Sequence, residues 1–180
     1  KIELEAPYVA EMVRKAMEDR YGAESETSGF RVFTTVKSTD QIAANVAVRK
    51  GLVEYDRRHG WRGAEAHVEL PAAEDPAATR ARLRQYQFIS GMPAAIVVEV
   101  GPSSANLVLA DGSSVRIEAA SSKWTGRTPG ALLKRGDVVR LQAGTAEGAP
   151  PFELTQIPKA EAALVSLRPE DGSLAALVGG

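Results

Sequence analysis

The sequence has no cysteine and two histidines, His59 and His67, which lie eight positions apart. Disulfides, thiolate metal sites and cysteine nucleophiles are therefore excluded, and one histidine pair without further ligands is poor material for a zinc site. Absence of cysteine does not assign a compartment, since oxidising and reducing compartments both hold cysteine-free proteins. No apolar run approaches the roughly 20 residues that a membrane-crossing helix needs. Neither charge sign dominates: 22 Lys and Arg face 23 Asp and Glu, a net charge of −1. No summed field would draw the molecule to nucleic acid or an acidic membrane, so any such affinity needs a local patch. Aromatic residues make up only 6%, and residues 92–158 contain only Trp124 and Phe152. That is too few for the successive stacking platforms of a single-strand reader. What is present is a globular composition, 180 residues with 44% hydrophobic and 25% charged, enough to bury the core of one domain or two small ones.

Val9, Met12, Val13, Ala16, Met17 and Tyr21 recur at helical spacing between Pro7 and Gly22, predicting an amphipathic helix over residues 6–21. The β-branched and aromatic run Phe30 to Val36 reads as a strand. Ser38 and Gln41 form a capping box for a helix that reaches residue 59, with Ile42, Val46 and Val53 expected to cover that strand. His67 to Leu70 suggests a short strand, and Asp75-Pro76 caps a further helix, 77–89, which carries Arg80, Arg82 and Arg84.

After Gly91 the period falls from 3.6 to 2, giving short strands at 94–100, 105–110, 114–119, 138–143 and 152–157, with a hairpin at Asp111-Gly112. Five strands with a longer connection after the third suit a small Greek-key barrel of the oligonucleotide/oligosaccharide-binding (OB) type, with a sandwich fragment as the alternative. Residues 162–167 and 173–178 form a last hairpin, too apolar to stand alone, and are expected in one sheet with residues 30–36. The expected fold class is α+β: an OB-like barrel inserted into a discontinuous strand-helix plus hairpin unit.

The dense basic and aromatic cluster is Arg57, Arg58, His59, Trp61 and Arg62. It could hold an anionic group or a partner's acidic loop, because arginine makes bidentate contacts and tryptophan is a rigid anchor. Alternatively, Arg57 and Arg58 complement the carboxyl end of a helix while Trp61 packs onto the core. Trp124, beside Lys123 and Arg127, is either a stacking platform or a core residue closing one end of the barrel.

Several strings together become recognisable: Phe33-Thr34-Thr35-Val36 and its helix, Tyr55-Asp56-Arg57-Arg58-His59-Gly60-Trp61-Arg62-Gly63, Leu109-Ala110-Asp111-Gly112-Ser113, Leu154-Thr155-Gln156-Ile157-Pro158, Arg168-Pro169-Glu170-Asp171-Gly172 and Leu177-Val178-Gly179-Gly180. In this order they resemble the region between the two catalytic domains of bifunctional class A penicillin-binding proteins of the 1A type, over essentially the whole chain. The resemblance implies a linker helix at 1–26 after a glycosyltransferase domain, the start of a transpeptidase α/β unit at 27–60 and 159–180, a helical connector at 61–91 and an OB-like domain at 92–158.

For the parent protein it implies peptidoglycan glycosyltransferase and serine-type D,D-transpeptidase activities on the periplasmic side of the bacterial inner membrane, anchored by a helix outside this sequence. An outer-membrane lipoprotein activator, other cell-wall synthesis proteins and glycan strands are the partners it implies. Lys1-Ile2-Glu3-Leu4 and the closing Leu177 to Gly180 read as the ends of an excised piece. In these residues no catalytic residue, cofactor, metal, nucleic-acid or membrane contact is expected. The motifs Ser-x-x-Lys, Ser-x-Asn and Lys-Thr-Gly are all expected to be missing, as is the glycosyltransferase acidic motif. Arg57, Arg58, Trp61 and Arg62 are the candidate partner-binding residues. The alternative reading is an independent OB-type module that binds oligosaccharide or single-stranded nucleic acid.

Overall fold

The computed structural model describes residues 4–71, 76–144 and 147–179. Its helices are α1 (Pro7–Tyr21), α2 (Ser38–Arg58), α3 (Pro76–Leu83) and α4 (Pro129–Leu132). Its strands are β1 (Ala66–His67), β2 (Ala94–Val100), β3 (Ser104–Leu109), β4 (Ser114–Glu118), β5 (Asp137–Ala143), β6 (Phe152–Thr155), β7 (Leu164–Leu167) and β8 (Leu174–Val178). The fold is α+β in two units, one formed by residues up to Glu54 and from Lys159 onward, the other by Tyr55–Pro158. Lys1 to Glu3, the cap expected at Asp75 and the final Gly180 lie outside the described residues.

In the first unit α1 turns Val9 inward, with Val13 and Met17 half-buried along the same stripe, while Met12 and Tyr21 are exposed. α2 sits differently from its expected orientation. Ile42 and Val46 face solvent, and the inward stripe is Gln41, Ala44, Val48 and Leu52. The cause is Gln41, fully buried, whose Nε2 donates to Leu177 O at 2.8 Å and whose Oε1 accepts from Leu177 N at 3.0 Å. The side-chain amide thus stands in for the peptide group of a neighbouring strand, satisfying both backbone groups of an edge residue. Gln41 therefore does not complete the expected capping box. At the end of β8, a Cβ on Gly179 would fall within 2.6 Å of three Tyr8 ring carbons. Only glycine admits that close approach.

The strand expected at Phe30–Val36 does not form, and β7 pairs with β8 alone. The segment meets the hairpin through isolated bonds: Thr35 Oγ1 donates to Leu174 O at 2.8 Å, Lys37 N to Ala175 O at 3.4 Å, and Arg168 Nη2 to Thr35 O at 2.9 Å. A hydroxyl takes a carbonyl that a ladder would give to an amide, so the β-branched composition finds no register to pair in.

In the second unit β5 is the hub. β2 pairs along one edge, while β1 and then β6 follow each other along the opposite edge; β3 and β4 continue outward from β2. All pairs are antiparallel. The five strands read from sequence are thus present, joined by β1. Among the described residues no ladder closes the sheet between β4 and β6. A 3-10 turn, Ala119–Thr125, follows β4 and reaches β6 through Trp124 Nε1, which donates to Leu154 O at 2.7 Å.

Ala95, Val97, Leu107, Ile117, Val139, Leu141 and Leu154 form the main core on one face, each almost wholly buried. Ile96 and Val138 point the other way, against Leu83 of α3. β2 and β5 are therefore covered on both faces, which explains the consecutive apolar residues at 94–98 and 138–139. α3 ends at Leu83, short of the expected Ile89, because Tyr86 N turns back to Leu83 O and the Tyr86 ring packs against this second core.

Two turns use the same chemistry. In Asp111-Gly112-Ser113 and Asp171-Gly172-Ser173 the serine amide donates to the aspartate Oδ1, at 2.8 and 2.9 Å, across a glycine of positive φ. The serine hydroxyl and then the serine amide hold the Asp111 carboxyl below its ordinary value; for Asp171 the amide contributes more than the hydroxyl. A depressed folded value means that the carboxylate's contribution is complete above the unfolded pKa and is lost as pH falls through the folded one. We therefore expect amide exchange at Ser113 and Ser173, corrected for intrinsic rates, to lose protection only below about pH 4. Protection unchanged down to about pH 2 would contradict this.

Candidate functional site

The last turn of α2 delivers the basic cluster. The helix stops where Gly60, at φ 82°, takes the left-handed conformation and its amide donates to Arg57 O at 3.1 Å. Beyond it the chain turns past Trp61 and Arg62 beside the residues that follow β6.

Asp56, 4% exposed, accepts from Arg62 Nη1 at 2.6 Å and from Gln156 Nε2 at 2.8 Å. Gln156 Nε2 also donates to Gly60 O at 2.8 Å, and its Oε1 accepts the Arg62 amide at 3.0 Å. Arg62 Nη2 then reaches Ile157 O at 2.7 Å. Both ends of Tyr55–Pro158 are thereby joined by one network in which a buried carboxylate is paired and hydrogen-bonded.

Arg57 belongs to the same region. Its Nη2 meets Glu153 Oε2 of β6 at 2.6 Å, and its guanidinium carbon lies 5.5 Å from the centre of the Trp124 ring. Its buried Nε has no hydrogen-bond partner among the described residues, and the guanidinium as a whole lies over the Trp124 ring. Trp61 packs against the main core and stands edge-on to Trp124 at 6.1 Å. Since Arg57 covers one face of Trp124, that ring is built into the domain rather than offered as a stacking platform. Arg58 is different: it is exposed, with its guanidinium 5.7 Å from the centre of the half-exposed Tyr55 ring. The His59 ring lies tilted against that of Tyr55, ring centres 4.4 Å apart, and directs Nδ1 to Tyr55 O at 2.8 Å, a bond that requires the proton on Nδ1.

Arg140 emerges only from the structure. It is 2% exposed in β5 and makes a fork-to-fork pair with Glu65, Nε to Oε2 at 2.6 Å and Nη2 to Oε1 at 2.9 Å. Its Nη1 donates to Gln87 O at 2.9 Å and Met92 O at 3.2 Å, fastening both ends of the segment between α3 and β2. The sequence signal is a charge inside Val138-Val139-Arg140-Leu141, an otherwise apolar strand, which demands a buried partner. His67 directs Nδ1 to Asp137 Oδ1 at 2.8 Å, while Asp137 Oδ2 accepts the Lys134 amide. Among the described residues no group of three or more His, Asp or Glu could hold a metal ion.

One expectation about motifs is corrected: Ser104-Ala105-Asn106 does have the Ser-x-Asn form. It lies in β3, where Ala105 is buried in the core, Ser104 Oγ accepts from Arg116 and Asn106 Nδ2 donates to Glu99. Both polar side chains are used in cross-strand pairs of the sheet.

A core wrapped by the strands of one antiparallel sheet, with the two ends of the chain segment locked together, defines an OB-like module. The family of penicillin-binding protein OB-like domains matches residues 61–160, and the chain belongs to it. It is 40% identical to penicillin-binding protein 1A of Pseudomonas aeruginosa over 99% of this chain and 22% of that protein. Penicillin-binding protein 1A of Haemophilus influenzae is 39% identical over all of this chain and 21% of its own length. The crystal structure of penicillin-binding protein 1A from Haemophilus influenzae superposes with a TM-score of 0.87, at 37% identity, over all of this chain and 26% of that one. The chain spans about a fifth of the length of the curated relatives it matches.

Proposed function

We propose that this chain is a non-catalytic spacer and docking region of a bifunctional peptidoglycan synthase acting on the periplasmic side of the inner membrane. In this reading residues 1–26 lead from the glycosyltransferase, 27–60 and 159–180 open the transpeptidase domain, 61–91 connect, and 92–158 form the OB-like insertion. The observation that carries it is the Asp56, Arg62 and Gln156 network, which fixes the two ends of the compact unit Tyr55–Pro158 against each other, as an inserted spacer requires. Arg57, Trp61 and Arg62 hold the platform, and Arg58 with Tyr55 faces outward to receive an acidic group on a regulator such as an outer-membrane lipoprotein activator.

Two measurements test this. The chain itself should form no stoichiometric adduct with labelled penicillin, because no Ser-x-x-Lys is present. In the longer protein, Arg58→Glu should abolish stimulation of crosslinking by the purified activator while labelled penicillin still acylates the enzyme. Acylation of a serine in this chain, or full stimulation of Arg58→Glu, would contradict the reading.

A further inference from the structure

The segment between α3 and β2 carries a feature that the spacer role does not use. Phe88 is 89% exposed, the most exposed large apolar side chain among the described residues. Single exposed apolar residues are common on loops that can fold them away. This one is held out. Arg140 grips Gln87 O and Met92 O on either side, Met92 N closes a turn onto Ile89 O, and Tyr86 is packed into the second core. The ring therefore projects from a fastened loop, the arrangement of a pre-organised interface anchor. Along the chain its neighbours have one charge sign: from Pro76 to Val98 the sequence contains arginines and no Asp or Glu, and Glu65, which reaches the loop's Arg140 clamp, is taken up by that guanidinium. Arg80 lies against the turn at Gly112, but Arg84, four residues before Phe88, is exposed and has no ion pair among the described residues.

We infer that the loop 85–91 is a docking anchor for an acidic protein partner, which receives Phe88 in an apolar pocket and pairs a carboxylate with Arg84. A nucleic acid or glycan strand would call for successive aromatic platforms along a groove, whereas here one aromatic stands out from the loop. The surface is separate in sequence from Tyr55 and Arg58, and the inference stands whether or not Arg58 receives a regulator.

The test replaces Phe88 by p-benzoylphenylalanine in the longer protein, in its own cells, and irradiates. Expected is an adduct with one protein, crosslinked through a segment of net negative charge, with a yield that falls in an Arg84→Glu background and persists in an Arg58→Glu background. The purified partner should then bind the chain, with affinity reduced about tenfold or more by Phe88→Ser. The thermal midpoint of Phe88→Ser should equal that of the wild type, which separates lost docking from lost folding. An adduct with glycan, nucleic acid, a second copy or a basic segment, no adduct at all, or unchanged affinity of Phe88→Ser would overturn the inference.

Discussion

Arg140→Met should be among the most damaging single changes in the chain, lowering the stability of Tyr55–Pro158 by about 3 kcal/mol, the low end of the cost of orphaning a buried ion-pair partner. The low end applies because Glu65 is 28% exposed and can recover part of its hydration. Three acceptors lose their donor together: the Glu65 carboxylate, Gln87 O and Met92 O. For a domain of this size such a loss corresponds to a fall of roughly 10–20 °C in thermal midpoint. The double variant Glu65→Met with Arg140→Met should recover much of it, since replacing both members of a buried pair by apolar groups is far cheaper than removing one. Hydrogen exchange should reveal the second consequence: faster exchange around residues 85–92, with Leu107 in the core strand still protected. A double variant as unstable as the single would mean that Arg140 acts through packing of its stem rather than through its charge.

The second large effect is expected at Asp56. Asp56→Ala leaves Arg62 without its carboxylate and removes one of the two acceptors of Gln156 Nε2. We expect a loss of about 2 kcal/mol, less than at Arg140 because Arg62 keeps Ile157 O and its side chain is 27% exposed. The diagnostic signal is local. The Arg62 amide, bound to Gln156 Oε1, should lose protection well before the main core does. By contrast Arg58→Ala, on the same turn of α2, should change stability by less than about 0.5 kcal/mol, as surface changes do. Equal effects at Asp56 and Arg58 would refute the division of this cluster into a clamp and an outward surface.

These residues also mark how far the sequence alone could reach. The strands from Ala94 to Thr155 were legible because alternation, β-branched content and an Asp-Gly turn agree there, and each is a local property. The strand expected at Phe30–Val36 had similar β-branched content, but it meets β8 only through isolated bonds instead of a ladder, and only the folded chain reveals that. Gln41 was equally opaque. As a capping residue it fits the local pattern, yet its partner is Leu177, 136 residues away. The basic cluster could be found in sequence; its division could not, because Glu153 and Gln156, which occupy Arg57 and Arg62, lie 96 and 94 residues downstream of their partners. Arg140 was missed, although its signal, a charge in an otherwise apolar strand, is present in the sequence; its partner Glu65 lies 75 residues away.

If the OB-like unit spaces and regulates rather than catalyses, its removal should uncouple activities without abolishing them. The direct measurement replaces Tyr55–Pro158 by a short glycine-serine linker in the longer protein and follows glycan polymerisation, penicillin acylation and crosslinks per disaccharide, with and without the activator. The account predicts that polymerisation and acylation persist while crosslinking per disaccharide falls and no longer responds to the activator. Loss of penicillin acylation in a folded variant would place this unit within the catalytic apparatus, and unchanged, activator-responsive crosslinking would show that it neither spaces nor docks.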